Sequence, residues 1–213
     1  MMTKKEKIQK TLQFIDELFP NARCELNYNK DYELLIAVML SAQTTDKSVN
    51  QVTPILFDKY KSLDDLHAAS VLDIENVIKS IGLYKNKAKN IKGIVDDLIN
   101  KFNYSLPSSK SDLTTLPGVG IKTAGVVRAE IFKIPELPVD THVMRISKRL
   151  SFAKESDSPE EVEQKLKKII DKSIWIKTHH QLIHFGRYFC TAKNPNCEKC
   201  KIRNTMQGKL NVQ

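Results

Sequence analysis

Leu116-Pro117-Gly118-Val119-Gly120-Ile121-Lys122-Thr123-Ala124 sets two glycines two residues apart, between two stretches of helical character. Glycine takes up positive φ without steric cost and leaves backbone N–H groups bare. The spacing predicts a tight hairpin joining two helices. The amides at its exit lie at the N-terminus of a helix beginning at Ile121, where they form a cradle for a phosphate. A plain helix–helix turn needs only one such glycine, so Gly118 and Gly120 together favour the cradle. Lys122 falls in the first turn of that helix, where the dipole disfavours a cation. A partly desolvated lysine there is a nucleophile suited to Schiff-base chemistry, and its plainer role is to pair with the phosphate. Eighteen residues on, Leu137-Pro138-Val139-Asp140-Thr141-His142-Val143 offers Asp140 as a helix N-cap.

Outward from the hairpin the chain reads as helices joined by short loops. Ile8, Leu12, Ile15 and Leu18 recur at helical spacing over 4–18, stopped by Phe19-Pro20. Residues 31–43 are apolar nearly all round, as a buried central helix requires. Asp46 is a candidate cap for a helix toward Tyr60 with Val49, Val52, Leu56 and Phe57 inward. Short helices fit 62–69 and 73–80. Over 86–102, Ala88, Ile91, Ile94, Val95 and Leu98 share one face, and Lys85, Lys87, Lys89 and Lys92 crowd the start against the dipole. Residues 140–150 look helical. Ser158-Pro159-Glu160-Glu161 is a capping box with proline in the first turn, opening a helix through Val162, Leu166, Ile169 and Ile170. A last helix fits 176–188. There is no strand-rich stretch, repeat or low-complexity segment, and the fold class is all-α.

Composition narrows the function. The 213 residues carry 34 Lys and Arg against 25 Asp and Glu, a net charge of +9. Residues 1–60 hold eight basic and eight acidic side chains, so the whole surplus lies in 61–213. Such a surplus suits a polyanion, nucleic acid or an acidic membrane surface, although solvated helix faces also carry lysines. The longest apolar run, 34–40, is far short of the roughly 20 residues a span needs, and MMTKKEKIQK lacks the apolar core of a secretory signal. A cytoplasmic protein without a membrane anchor is expected. Three of the four cysteines lie within eleven residues near the C-terminus, which favours metal or cluster binding over a disulfide scaffold. Cys24 is most simply a small buried apolar residue.

Six ordered blocks give the chain a broader likeness: LSAQTTD (40–46), IGLYKNKAKNI (81–91), LPGVGIKTAGVV (116–127), VDTHVMR (139–145), HHQLIHFGRYFC (179–190) and the Cys190–Cys200 group. Together they resemble the helix-hairpin-helix DNA glycosylase superfamily, and closely its endonuclease III branch, over nearly the whole chain. The resemblance implies a six-helix barrel over about 23–135. It also implies a second helical domain, built from 1–22 and 136–213, that carries a cysteine-ligated cluster loop. The implied activity is bifunctional: removal of oxidised pyrimidines from duplex DNA, then cleavage of the abasic site by β-elimination.

By resemblance Lys122 is the catalytic lysine and Asp140 the catalytic aspartate, in a cleft between the two domains. Gln43 and Leu83 match the residues that fill and wedge the hole left by a flipped base. Taken alone, they would read as an end-of-helix glutamine and a core leucine. Gly118 and Gly120 hold a backbone phosphate, and the lysines at 85–92 meet others. Cys190, Cys197 and Cys200 match the first three ligands of a 4Fe-4S cluster, and Met206 stands where the family has its fourth cysteine. Three thiolates also suit an altered or zinc-bearing site, or remain as remnants of a lost one. Lys193, Lys199, Lys201 and Arg203 place positive charge around that loop for phosphate. The implied partner is double-stranded DNA with damaged pyrimidines or abasic sites, bound by a nucleoid-associated monomer. The nearest rival is a monofunctional glycosylase of the same superfamily, against which Lys122 argues. A non-catalytic helix-hairpin-helix DNA-binding protein needs neither Asp140 nor a Gln43 plug.

Overall fold

The computed structural model describes residues 3–203 and falls into two compact units. One is Glu25–Ile134; the other joins the residues up to Cys24 with those from Pro135 onward. Every regular element among the described residues is helical.

The Glu25–Ile134 unit is built around α2 (Asp31–Leu40), which packs against α3 (Asp46–Lys59), α6 (Tyr84–Asn100) and α8 (Ile121–Glu130). Its residues Leu34 to Leu40 are all buried, as the continuous apolar run requires. Glu33 is buried beside them because its carboxylate accepts from the Asn29 and Lys30 N–H groups at 2.7 and 3.3 Å, capping the helix. The helix ends at Leu40, three residues before the expected limit. The cap of α3 is Thr45 rather than Asp46: its hydroxyl accepts from Ser48 N–H at 3.2 Å, and Asp46 becomes the first helical residue. The unit is completed by α4 (Leu63–Ala68), α5 (Val71–Ile78) and α7 (Lys110–Thr115). Where a six-helix barrel is expected, it thus holds seven helical segments, of which α4 and α7 have only six residues each.

The other unit gathers α1 (Lys4–Leu18), α9 (Thr141–Arg149), α10 (Pro159–Ile169) and α11 (Trp175–His184). Ile15, Leu137, Val143, Ile146, Val162, Leu166, Leu182 and Phe185 form its core. The capping box at Ser158 is present, with Glu161 N–H donating to the serine hydroxyl at 3.3 Å. Beyond His184 the helix does not continue in α form. Phe185–Phe189 make a π-helical turn, closed by Cys190 N–H donating to Phe185 O at 2.6 Å. Phe185 and Phe189 stack at 5.2 Å within it, and Phe14 of α1 meets both edge-on. Cys24 is half-buried instead of buried, because it stands in the irregular segment after α1 and not on a packed helix face.

Candidate functional site

The hairpin lies between α7 and α8 and is closed by Val119 N–H donating to Leu116 O at 3.1 Å. Its two glycines differ in kind. Gly118 has φ 75°, in the left-handed region, and a Cβ there would run into the side-chain amide of Asn90 on α6. Gly120 has φ −87° and ψ 176°, which any residue adopts, and a Cβ there would meet nothing within 4 Å. Positive φ therefore explains Gly118 alone, contrary to the expectation for the pair. The hairpin also sits flush on α6, since a Cβ on Gly93 would come within 2.8 Å of Pro117 Cγ.

Gly120 is the N-cap of α8 and offers no side-chain cap, which leaves the first amides of that helix without a capping acceptor among the described residues. Lys122 stands in this first turn. It is exposed, not partly buried as expected, and among the described residues of its own unit its amine has no hydrogen bond or ion pair.

Gln43 and Leu83 are both exposed, and both adopt left-handed backbone, with φ 54° and 60°. Leu83 is 56% exposed, which rules out a core leucine, and a bulky residue at positive φ is strained. It is the N-cap residue of α6 but has no side chain that can cap. Gln43 lies three residues beyond α2, in the turn before α3, and is not the end of a helix. The lysines that follow Leu83 do not act alike. Lys85 and Lys89 are exposed. Lys92 engages the His67 carbonyl and Asp96. Lys87 is buried, and its Nζ donates to Thr44 Oγ1 at 2.7 Å, so it does not face phosphate as expected. Burial pushes its pKa below the ordinary lysine value.

In the other unit Asp140 is the N-cap of α9, and its Oδ1 accepts from Val143 N–H at 2.7 Å. Among the described residues of that unit, the cap is the only hydrogen bond of its carboxylate, which leaves the second carboxylate oxygen free for other work. Lys122 and Asp140 belong to different units, so the chain supplies them from separate cores.

Cys190, Cys197 and Cys200 line one pocket, together with Arg149, Phe185, Phe189 and Arg203. Sequence reasoning missed Arg149, whose guanidinium ties the loop to α9. It donates to the carbonyls of Cys190, Thr191 and Ala192 at 3.3, 2.6 and 2.9 Å, and to Cys190 Sγ at 3.4 Å. Arg145, one turn earlier, donates to Gly186 O at 2.7 Å and Cys190 O at 3.3 Å. The only signal in the sequence is their i, i+4 spacing on the helix that Asp140 opens. Burial pushes the Cys200 thiol up. Sulfur donors suit soft metals, and the nearby guanidiniums offset thiolate charge. No three His, Cys, Asp or Glu side chains among the described residues are arranged to hold a single metal ion. Met206 lies outside the described residues. Around the loop Lys193, Lys199 and Arg203 are exposed, whereas Lys201 pairs with Glu17 at 3.4 Å. No helix among the described residues is long and apolar enough to cross a membrane.

This arrangement has relatives. The sequence model of the HhH-GPD superfamily base excision DNA repair protein matches residues 36–172. The chain is 46% identical over 197 residues to an endonuclease III of Bacillus subtilis (strain 168), covering 92% of this chain and 90% of that protein. It is 40% identical over 193 residues to endonuclease III of Escherichia coli (strain K12), covering 91% of each. Among solved structures it is similar to a trapped endonuclease III–DNA covalent intermediate, at TM-score 0.90 and 48% identity over 94% of each chain. A non-covalent endonuclease III–DNA complex matches at TM-score 0.93 and 47% identity, over 97% of this chain and 96% of that one. A thermostable thymine-DNA glycosylase, at 22% identity and TM-score 0.80, shares the fold. The chain belongs to the endonuclease III branch of the HhH-GPD superfamily of base excision DNA repair proteins.

Proposed function

We propose that Lys122 and Asp140 divide the chemistry of a bifunctional DNA glycosylase and abasic-site lyase, acting on oxidised pyrimidines in duplex DNA. The observation that carries the assignment is Lys122 itself. Its exposed amine stands in the first turn of α8, immediately behind the hairpin. A monofunctional glycosylase activates water and has no need of an amine at that place.

The reaction runs on a nucleotide flipped out of the stack. Gln43 fills the vacated space and Leu83 wedges the strands apart. The outward amides around Gly118 and Gly120, with Lys193 on the cysteine loop, hold backbone phosphates. Lys122, as the neutral amine, attacks C1′. The glycosidic bond breaks and its electron pair leaves with the base, which takes up a proton. The Asp140 carboxylate stabilises the positive charge that develops at C1′ and accepts the proton shed by the attacking amine. Opening of the sugar ring gives an imine between Nζ and C1′. The imine acidifies the C2′ proton, whose loss expels the 3′ phosphate, and water then hydrolyses the imine to release Lys122.

We assign the lysine to a barrel of residues 23–135, and the aspartate to a second domain of 1–22 and 136–213. Cys190, Cys197 and Cys200 fit three ligands of a 4Fe-4S cluster, since all three line one pocket with cationic neighbours. A cluster gives each thiolate its own iron, so it asks less convergence of them than a single ion does. When bound, the cluster supplies a rigid loop from which Lys193 meets phosphate, and no chemical step. The protein works as a monomer on chromosomal DNA in the cytoplasm, as a net charge of +9 suits.

Borohydride reduction on duplex DNA holding one thymine glycol tests the reading, with iron content measured on the same anaerobic sample. A covalent protein–DNA adduct is expected from the wild type and none from Lys122→Ala. An equal yield of adduct from Lys122→Ala would overturn the assignment.

A further inference from the structure

A lysine inside a protein normally pairs with a carboxylate, because a buried ammonium loses its hydration without return. Lys87 departs from that rule. The residue is 4% exposed, and its one side-chain hydrogen bond among the described residues goes to a neutral group, Thr44 Oγ1 at 2.7 Å. Thr44 follows Gln43 directly. Lys87 stands one helical turn after Leu83, and its N–H donates to Leu83 O at 3.0 Å. The side-chain bond thus joins two loops that are far apart in sequence. Each of those loops carries one exposed side chain on a left-handed residue, Gln43 at φ 54° and Leu83 at φ 60°.

The neighbouring lysines offer no substitute, since Lys85 and Lys89 point to solvent and Lys92 is engaged by His67 and Asp96. A buried methionine or leucine would fill the same space without desolvating a charge. What a lysine adds is reach and a directed donor. A hydroxyl acceptor also leaves the positive charge uncompensated beside a surface meant for phosphate, where a carboxylate would repel it. Further along the same face of α6, Asn90 abuts Gly118. Successive turns of one helix therefore register the Leu83 end, the Gln43 loop and the hairpin.

We infer that Lys87 is a positioning residue, whose hydrogen bond to Thr44 fixes the Gln43 loop against the Leu83 end of α6 so that both side chains insert into the duplex as one unit. This rests on the assignment of Gln43 and Leu83 to the duplex under the proposed function. Loosening the bond lets the two side chains insert independently, and a misplacement of about 1 Å costs up to about a hundredfold in rate.

The test uses a duplex with tetrahydrofuran, an uncleavable abasic analogue, opposite 2-aminopurine, whose fluorescence rises when inserted side chains unstack it. Single-turnover excision of thymine glycol is measured alongside. Leu83→Ala and Gln43→Ala should lower the fluorescence rise and slow excision. Lys87→Met and Thr44→Val should each do the same, slowing excision by about ten- to a hundredfold. The double variant should be no worse than either alone, because both remove one interaction. Thr44→Ser keeps the hydroxyl and should behave as wild type. Lys87→Met removes a buried charge at similar volume, so it should melt at or above the wild-type temperature. Wild-type fluorescence and excision in both Lys87→Met and Thr44→Val, with Leu83→Ala and Gln43→Ala impaired, would overturn the inference and leave the duplex assignment standing. Unaltered signals in Leu83→Ala and Gln43→Ala would instead remove the duplex assignment and the inference with it. A lowered melting temperature in both Lys87→Met and Thr44→Val, with duplex binding lost in proportion, would make Lys87 an ordinary structural residue and overturn the inference.

Discussion

The side chain of Asn90 occupies the space that a Cβ on Gly118 would need, with its Cγ only 2.9 Å from that point. The hairpin that gives the family its name is therefore seated on α6, a helix that precedes it in sequence by some distance. Gly118 answers to this internal neighbour, whereas a Cβ at Gly120 would meet nothing within 4 Å among the described residues.

That contrast separates the two glycines by experiment. Gly118→Ala forces alanine into left-handed backbone, at about 1–3 kcal/mol, and adds the clash with Asn90. Urea denaturation should show the loss directly. Gly120→Ala costs about 1 kcal/mol or less, as a poorer N-cap. It should nevertheless weaken duplex binding by about tenfold, because a methyl group would intrude where a phosphate approaches the amides.

Asp140 serves as a cap and as the proposed charge stabiliser, and Asp140→Asn divides the two. The asparagine oxygen can still accept from Val143 N–H, so α9 and the melting temperature should change little. Base release should fall by about a hundredfold or more, as for other losses of a positioned charge. Undiminished release of thymine glycol in single-turnover assays would reduce the residue to a cap.

Leu83 is displayed at a backbone cost, and Leu83→Gly should remove that cost. Relief of the left-handed strain opposes the greater freedom of glycine in the unfolded chain, so stability should stay within about 1 kcal/mol of wild type. Excision of a paired lesion should drop all the same, because the wedge is gone. A stability loss of about 2–5 kcal/mol would be the signature of a core leucine and would count against the wedge.

Asp157 gives a pH prediction. Its carboxylate accepts from Lys165 Nζ and from Lys154 N–H, both at 2.6 Å, and these bonds, the first above all, hold its pKa below the usual aspartate value. A carboxyl whose folded value is depressed contributes stability above its unfolded pKa of about 3.9, and loses it as pH falls through the folded value. Asp157→Asn should therefore be less stable than wild type in urea at neutral pH, and the gap should narrow as pH falls below about 4.

Much of the fold was legible. The run Leu34 to Leu40 is apolar all round because α2 is covered on every side, and the Ser158 box announced α10 by local chemistry. Local patterns misled where two good signals stood together. Thr45 and Asp46 can each cap a helix, and only the backbone path chose Thr45. Hydrophobic periodicity could not distinguish the π-helical turn at Phe185–Phe189 from a continuing α-helix. In the site, Lys122 and the three cysteines stood out by their place in the sequence, whereas the roles given to them and to Asp140 came from the family resemblance. The burial of Lys87 showed in neither, because its partner Thr44 lies on another element and no local pattern marks one lysine in a cluster as inward. The left-handed backbone of Gln43 and Leu83 was equally hidden, as neither residue type advertises it.

The π-helical turn carries a consequence for how the gene can vary. Such a turn holds one residue more than the α-helical path it replaces. Deleting a single codon within 186–189 would let α11 run on regularly, with Cys190 N–H meeting Phe185 O four residues back instead of five. The positions on either side of the turn would keep their phase around the helix axis, so Cys190 would stay in the pocket it shares with Cys197 and Cys200, and its carbonyl near Arg149. The same deletion in a stretch of regular helix would swing each later position by about 100°. The turn is therefore a slack of one residue, and a lineage that shed it would keep the cysteine site.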